Sequence, residues 1–304
     1  MLNTIMMLND ILDELRSTLL DRVSLRHLPE SVWKQVATLN TWGTNSIEGN
    51  TLSLEEVRTV LEAQRSVPGR PIRDVIETVQ HEAAFRSLLL RLDAPITLVT
   101  VQELHEQVFR GIKIDAGQWR KINVRIAGSK HTPPRLEKVV AEMEKWERAY
   151  DQKDREGTNV FALAAQMHSE FESIHAFSDG NGRVGRLLLN LHFLKHNWPP
   201  VSVTPIERKR YLDALEKADD GDPNELEALL RVLMASSLLA LLDQVGTIED
   251  ALVPLRELEK GADRSAKYLS LRAGQGHLPV IKRKGDWLSS GRALRLYDQY
   301  HARG

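Results

Sequence analysis

The stretch that most restricts how this chain can fold is HAFSDGNGRVGR, His175 to Arg186. Before it, NVFALAAQMHSEFESI repeats apolar residues at three- and four-residue intervals, and RVGRLLLNLHFLKH resumes that pattern after it. Two apolar helices must therefore be joined by a loop that holds a histidine, a carboxylate, three glycines, an asparagine and two arginines. A buried turn between helices has no packing use for that mixture.

Chemistry gives it one. Gly180-Asn181-Gly182 leaves the backbone free to aim its N–H groups at a common point, and that point lies at the start of a helix. Such a place cradles anions, phosphates above all. Arg183 and Arg186 stand three apart on one helical face and can clamp two phosphates. Asp179 is a hard oxygen donor suited to Mg²⁺, and His175 can take a proton from an incoming hydroxyl. Together they describe metal-assisted transfer of a nucleotidyl or phosphoryl group to a hydroxyl. The bland alternative is a glycine-containing turn with surface arginines and a satisfied histidine.

The rest of the chain reads as mostly amphipathic helix. SVWKQVATLNTW, SLEEVRTVLEAQ, TVQELHEQVF and RLEKVVAEMEKWERAY are examples. The pattern INVRIAG followed by SKHTPP predicts a strand entering a short hairpin or an extended flap. The longest apolar run, Val232 to Leu242, falls short of the roughly 20 residues of a membrane span and predicts a buried helix, with Asp222 as N-cap and Pro223 at its first position. No cysteine is present, which removes thiolate chemistry and cysteine zinc sites and suits a reducing, cytoplasmic setting. The N-terminus lacks the basic region of a secretion signal.

The signature resembles that of the Fic family, His-Pro-Phe-x-(Asp/Glu)-Gly-Asn-Gly-Arg-x-x-Arg, with Ala176 in place of proline. GQWRKINVRIAGSKHTPP resembles the family's flap, a β-hairpin that docks the target by main-chain pairing. The resemblance implies an all-α fold: a Fic helical bundle with a small β-hairpin flap. It implies ATP and Mg²⁺ as substrate and cofactor, and AMP transfer to a Ser, Thr or Tyr hydroxyl of a protein, this one included. By the same resemblance His175 is the general base and Asp179 the Mg²⁺ ligand. Gly180, Asn181, Gly182, Arg183 and Arg186 hold the phosphates, and Phe177 anchors the loop. Three regions are expected: 1–115 with the start of the core, 116–245 with flap and signature, and a tail, 251–304.

TWGTNSIEGN holds a second oddity. Glu48 precedes Gly49, a helix C-cap by its type, so a carboxylate sits at the negative end of a helix. A solvated glutamate at a frayed end is one account. Thr44-x-x-x-Glu48-Gly49 also resembles the family's inhibitory motif, which implies that Glu48 reaches Arg186 and keeps ATP from binding productively.

Charge is distributed unevenly. From residue 251 onward 11 Lys and Arg face 5 Asp and Glu, while the preceding part carries 30 against 37. That tail resembles the small winged helix-turn-helix domains of excisionase-like proteins, with Ser265 to Leu271 as a second helix and Lys282, Arg283 and Lys284 on a wing. DNA contact through these and through Arg264, Lys267 and Arg272 is one expectation; a protein-docking or dimerisation module is the other. No membrane partner is expected, and a homodimer stays open. His192 and His196, four apart, have a zinc-compatible spacing but no third ligand nearby. They are assigned to structure, as are His81, His105, His131 and His168. Removal of AMP with Glu48 positioning a water, transfer of another phosphate-containing group, and a nucleotide-sensing DNA-binding regulator remain alternatives.

Overall fold

A computed structural model describes residues 2–258, 264–283 and 285–301, with side chains from residue 8 onward. The chain divides into two compact units, Trp33–Leu229 and Met1–Val32 with Leu230–Gly304.

The first unit is built of helices: α2 (Glu30–Ile47), α3 (Leu54–Ala63), α4 (Ile72–Ser87), α5 (Leu98–Phe109), α6 (Val139–Arg155), α7 (Val160–Ile174), α8 (Asn181–Lys195) and α9 (Arg208–Asp219). Their starts are written in the sequence. Ser53 and Glu56 form a reciprocal capping box on α3, and Thr97 with Thr100 does the same for α5. Asn159 Oδ1 accepts the N–H groups of Phe161 and Ala162 at the start of α7. Helix α7 packs on α6, α8 and α9, and α5 packs on α4 and α8. Phe85, Phe109, Phe171, Phe177 and Phe193 are all fully buried. Each ring removes 150–250 Å² from water, so this aromatic core fixes the α7–α8 junction.

The segment between α8 and α9 ties down α2. Asn190 pairs with Val201 through both main-chain groups, at 2.8 and 3.1 Å, and Asn40 Nδ2 donates to the same carbonyl at 2.8 Å. Gly43 lets α2 approach so closely that a Cβ there would overlap the Val203 carbonyl. The C-terminal end of α2, with Glu48 just beyond it, is thereby anchored.

The all-α architecture is the one expected. One element departs from expectation: residues 122–134 form no β-hairpin. Ile122 to Ile126 join no ladder, and Pro133 and Pro134 have no N–H to give one. Single bonds hold the segment instead. Arg120 donates to the carbonyls of Ile122 and Pro134, and Asn123 Oδ1 accepts the N–H of Leu136 at 2.8 Å.

In the second unit α1 (Leu2–Leu20) buries Ile11, Leu12, Leu15 and Leu19 completely and packs on α13 (Gly291–His301). Strands β1 (Val253–Pro254), β2 (Ile281–Arg283) and β3 (Asp286–Ser289) form an antiparallel sheet in the order β1-β3-β2, with Ile281 opposite Leu288 and Val253 opposite Ser289. Helices α11 (Leu255–Leu258) and α12 (Ala266–Gly274) complete it, α12 starting at a Ser265 cap. Lys284 of the expected wing lies outside the described residues. The fully buried Asp250 accepts from Arg22 at 2.7 Å and from Arg292 at 2.6 Å. Helix α10 (Asn224–Val245) begins where Asp222 caps Asn224 N–H at 3.1 Å. By length and composition it could cross a membrane, yet Leu226, Leu229, Leu230, Met234, Leu238 and Leu239 on it are buried in the protein.

Candidate active site

Helix α7 ends at His175, whose φ of +50° is a left-handed cap that turns the chain into the signature loop. The loop re-enters a helix at Gly180, with φ of +84°. Only glycine fits there, since a Cβ would overlap the Phe109 ring as well as strain the backbone. Asn181 uses its whole side chain to staple the loop: Oδ1 accepts Phe177 N–H at 2.9 Å and Nδ2 donates to Phe177 O at 3.0 Å. What it can offer a ligand is its main-chain N–H, not its amide group.

His105 fastens the same loop. Its Nδ1 accepts Gly117 N–H at 2.8 Å, which leaves Nε2–H to donate to Asp179 O at 3.1 Å. Its ring stacks on Phe177 at 3.8 Å, and burial pushes its pKa down to about 4. Arg120 N–H donates to Ala176 O and Arg120 Nε to His175 O, each at 3.0 Å, so the segment that begins at Arg120 and the signature loop are stitched together.

His175 is half-buried. Its Nδ1 lies 3.3 Å from Glu172 O, an atom that only accepts, so Nδ1 carries the proton and Nε2 has the free lone pair. Burial lowers its pKa below the ordinary 6.5, although the Glu172 carbonyl and the Glu48 and Asp179 carboxylates pull the other way. Neutral at pH 7, it is a base ready to accept a proton.

Asp179, 36 % exposed, faces cations on both oxygens: Arg183 Nη2 at 3.4 Å from Oδ1, and Lys113 Nζ at 3.0 Å from Oδ2. Burial raises its pKa, but Lys113, Arg183 and Gly180 N–H outweigh that and hold it below the ordinary value. Arg183 is buried, with its guanidinium 4.4 Å from the Phe109 ring centre and Nη1 3.2 Å from Glu77 Oε1. Its Nε is buried with no hydrogen-bond partner. A buried, unpartnered N–H on a cation is a standing demand for an anion.

Arg186 is equally buried and fully engaged. Nε donates to Thr44 Oγ1 at 2.6 Å, and Nη2 donates to Glu48 Oε1 at 2.5 Å. Nη1 lies 3.5 Å from Tyr211 OH, which is itself 2.7 Å from His168 Nε2. A Cβ on residue 182 would overlap Glu48 Oε1. The carboxylate of Glu48 thus rests on Gly182, in the first turn of α8, where the amides and the helix dipole favour negative charge. Glu48 is positioned by Gly49 (φ +92°) and by the tether that follows: Thr51 donates to Asp74 Oδ2 at 2.8 Å through its N–H and 2.6 Å through its hydroxyl.

Every signature residue expected at the site lies in this loop or on α8, and the structure brings Glu48, Gly182 and Arg186 together across 138 positions of sequence. Lys113, Glu77, Phe109 and Tyr211 also take part, without a local sequence signal. His192 and His196, expected to be structural or surface residues without a third ligand nearby, have Asp154 beside them, but both His192 nitrogens are engaged. His192 spends Nδ1 on Tyr150 OH and Nε2 on Val160 O, and His196 bonds Asp154. With both its nitrogens engaged His192 has no lone pair to spare, so the cluster Asp154, His192, His196 is no ready metal centre.

Residues 95–193 match the model of the Fic/DOC family. They run from just before α5 to near the end of α8, and so include the whole loop. The protein adenylyltransferase Fic of Nematostella vectensis is 31% identical over 193 residues, 62% of this chain and 45% of that protein. Its namesake in Aedes aegypti is 33% identical over 180 residues, 58% of this chain and 36% of that protein. This chain therefore spans less than half the length of those curated relatives. Among solved structures, Fic-1 (134–508) from C. elegans superposes with a TM-score of 0.68 at 25% identity, covering 79% of this chain and 72% of that one. A Fic family protein from Desulfovibrio desulfuricans G20 has the same fold, with a TM-score of 0.65 at 20% identity and 95% of each chain covered. The chain carries a Fic/DOC family domain.

Proposed function

We propose that this protein transfers AMP from ATP to a Ser, Thr or Tyr hydroxyl of a protein, its own chain included, and that Glu48 restrains the reaction. The observation that carries the reading is the Glu48 carboxylate on Arg186, seated over Gly182. A carboxylate there stands where a phosphate would sit, and it occupies the arginine that would bind that phosphate.

In the reaction the target oxygen bonds to the α-phosphorus and the bond from that phosphorus to the bridging oxygen breaks, releasing pyrophosphate. The hydroxyl proton passes to His175 Nε2, the nitrogen left free by the Nδ1–Glu172 contact. The main-chain N–H groups at the start of α8 and the unpartnered Nε of Arg183 receive phosphate oxygens. Arg186, once released by Glu48, takes a terminal phosphate in a charge-assisted bond. Asp179 is a single hard donor beside the cradle, which fits a Mg²⁺ held mostly by the nucleotide's phosphates. Bound there, the metal would neutralise phosphate charge.

The test is intact mass after incubation with ATP and Mg²⁺. Glu48→Gly should gain AMP adducts, wild type few, and Glu48→Gly/His175→Ala none. A phosphate adduct would favour transfer of another group, and loss of AMP from a modified protein would favour its removal. No adduct on Glu48→Gly would leave a nucleotide-sensing role.

For residues 251–304 the DNA reading is narrower than the sequence suggests. Arg264 is bonded to Asp298 and Tyr268, and Arg272 to Tyr297 and Gln275. Lys267, Lys282 and Arg283 are exposed and remain available for phosphate contact.

A further inference from the structure

Two cations outside the signature share one oxygen of Asp179. Lys113 Nζ stands 3.0 Å from Oδ2, and Arg73 Nη2 stands 3.9 Å from the same atom. Lys113 comes from the loop after α5 and Arg73 from the first turn of α4. Both line a cavity of about 360 Å³ that Asp179 also borders, walled by Ile72, Ile76 and Ile112.

Glu77 is the other acid here, 2.9 Å from Arg73 and 3.2 Å from Arg183. Arg73, Lys113 and Arg183 thus face Asp179 and Glu77, with Asp74 near Arg73 and Asp115 near Lys113. A divalent ion on Asp179 changes that balance, because an ammonium cannot stay at 3.0 Å from an oxygen that has taken a metal without facing like charge at close range. Lysine is a compact charge on a flexible four-carbon stem, and the cavity beside it leaves room to swing. Under the proposed function, the anion that would accompany a metal into this site is a phosphate.

We propose that Lys113 is a two-position cation: it neutralises Asp179 while the site is empty of nucleotide, and it moves onto a phosphate of the nucleotide or of pyrophosphate when metal takes Asp179, with Arg73 lining the same phosphate subsite. This rests on the role given to Asp179 under the proposed function, but its test measures binding and not AMP transfer. The two can therefore fail separately.

The removal of Lys113 has opposite consequences for its two partners. Without it Asp179 is a barer carboxylate and holds metal alone more tightly. The phosphate subsite meanwhile loses a charge-assisted bond and weakens. The experiment uses the full chain carrying Glu48→Gly, so that Arg186 is free throughout. Mn²⁺ binding without nucleotide is read from water-proton relaxation, and inorganic pyrophosphate binding with Mg²⁺ present is read by calorimetry. Lys113→Met should bind Mn²⁺ about tenfold more tightly and pyrophosphate about tenfold more weakly. Lys113→Arg, which keeps the charge, should stay within about threefold of the parent in both. Asp179→Ala should lose the Mn²⁺ signal. Any result for Lys113→Met other than shifts in opposite directions overturns the proposal.

Discussion

Both units of this protein present a pair of arginines, and the two pairs differ in what neutralises them. Arg183 and Arg186 of the unit that holds the signature loop are buried against Glu77, Glu48 and Thr44, and Arg183 keeps an unpartnered Nε. Arg264 and Arg272 of the C-terminal unit are closed into a cluster of Tyr268, Tyr297 and Asp298. In the first pair one partner, Glu48, is a flexible side chain 30 % exposed, which a ligand can displace. In the second, aromatic faces and hydroxyls do the holding, and no one side chain can step aside to free them. Counting basic residues shows charge; only the partners show whether that charge is available.

The largest expected effect tests whether the proposed AMP transfer needs more than the cations of the signature loop. In a Glu48→Gly background, His175→Ala should cut AMP transfer by about 10²–10⁴-fold with ATP affinity unchanged, because the base goes and the cradle stays. The pH profile sharpens this. Burial lowers the His175 pKa, so the neutral base persists below pH 6.5, and the acid limb of the Glu48→Gly profile should fall below that value. A limb above pH 6.5, or activity that survives the alanine, would take the base away from His175.

Next in size is the release of Arg186. Glu48→Gly should raise transfer and ATP affinity by one to two orders of magnitude, the worth of one charge-assisted bond of ~1.5–3 kcal/mol. The fold should be spared because Glu48 lies outside α2, whose end is held by Asn40, Gly43 and the Thr51–Asp74 bonds. Calorimetric titration with ATP checks it, and equal affinities would show that the pair does not restrain the site.

What the sequence disclosed follows from distance along the chain. The loop, its two helices and its glycines lie within a few turns of one another, so local spacing revealed them. The pairing of Glu48 with Arg186 was legible only through a motif resemblance, since nothing local links positions 138 apart. Lys113 and Tyr211 were invisible, one in an irregular loop and the other on an ordinary amphipathic helix. The hairpin expectation failed because alternation in INVRIAG reports only a half-exposed chain, and a ladder also needs a partner strand. Nor does α1 carry any sign that it groups with the C-terminal unit; its apolar stripe says that it packs, not on what.

Not every acid near Arg186 is a latch, and Glu172 should show the contrast. Burial pushes its pKa up to about 8, and its Oε1 is buried without a hydrogen-bond partner, against Gly185. A carboxyl with a raised folded pKa favours the fold fully below its unfolded value near 4.5. That support is lost as pH rises towards 8, because the unfolded chain ionises first. Glu172→Gln removes the penalty, so it should stabilise the protein by about 3 kcal/mol at pH 7 and by almost nothing at pH 4.5. Urea unfolding at the two pH values measures this, and a gain independent of pH would assign it to something other than ionisation.

The smallest effect applies to the C-terminal unit the same edit proposed to free Arg186. Asp298→Ala deletes the acid beside Arg264, as Glu48→Gly deletes the acid beside Arg186. If availability depended on the acid alone, both changes would create an anion site. In the C-terminal unit, however, Arg264 Nη1 still donates to Tyr268 OH at 2.9 Å, and its guanidinium stays 5.1 Å from the Tyr268 ring centre and 5.6 Å from that of Tyr297. Binding of the full chain to duplex DNA at low salt should therefore change by less than about twofold, and stability should fall by less than about 1 kcal/mol, the range of a partly exposed pair. Lys282→Gln/Arg283→Gln should instead weaken any DNA retention and flatten its salt dependence by about two counterions, since both side chains are exposed on β2. If Asp298→Ala bound DNA markedly better while the β2 double mutant bound unchanged, Arg264 and not β2 would be the polyanion contact, and the contrast between the two arginine pairs would collapse.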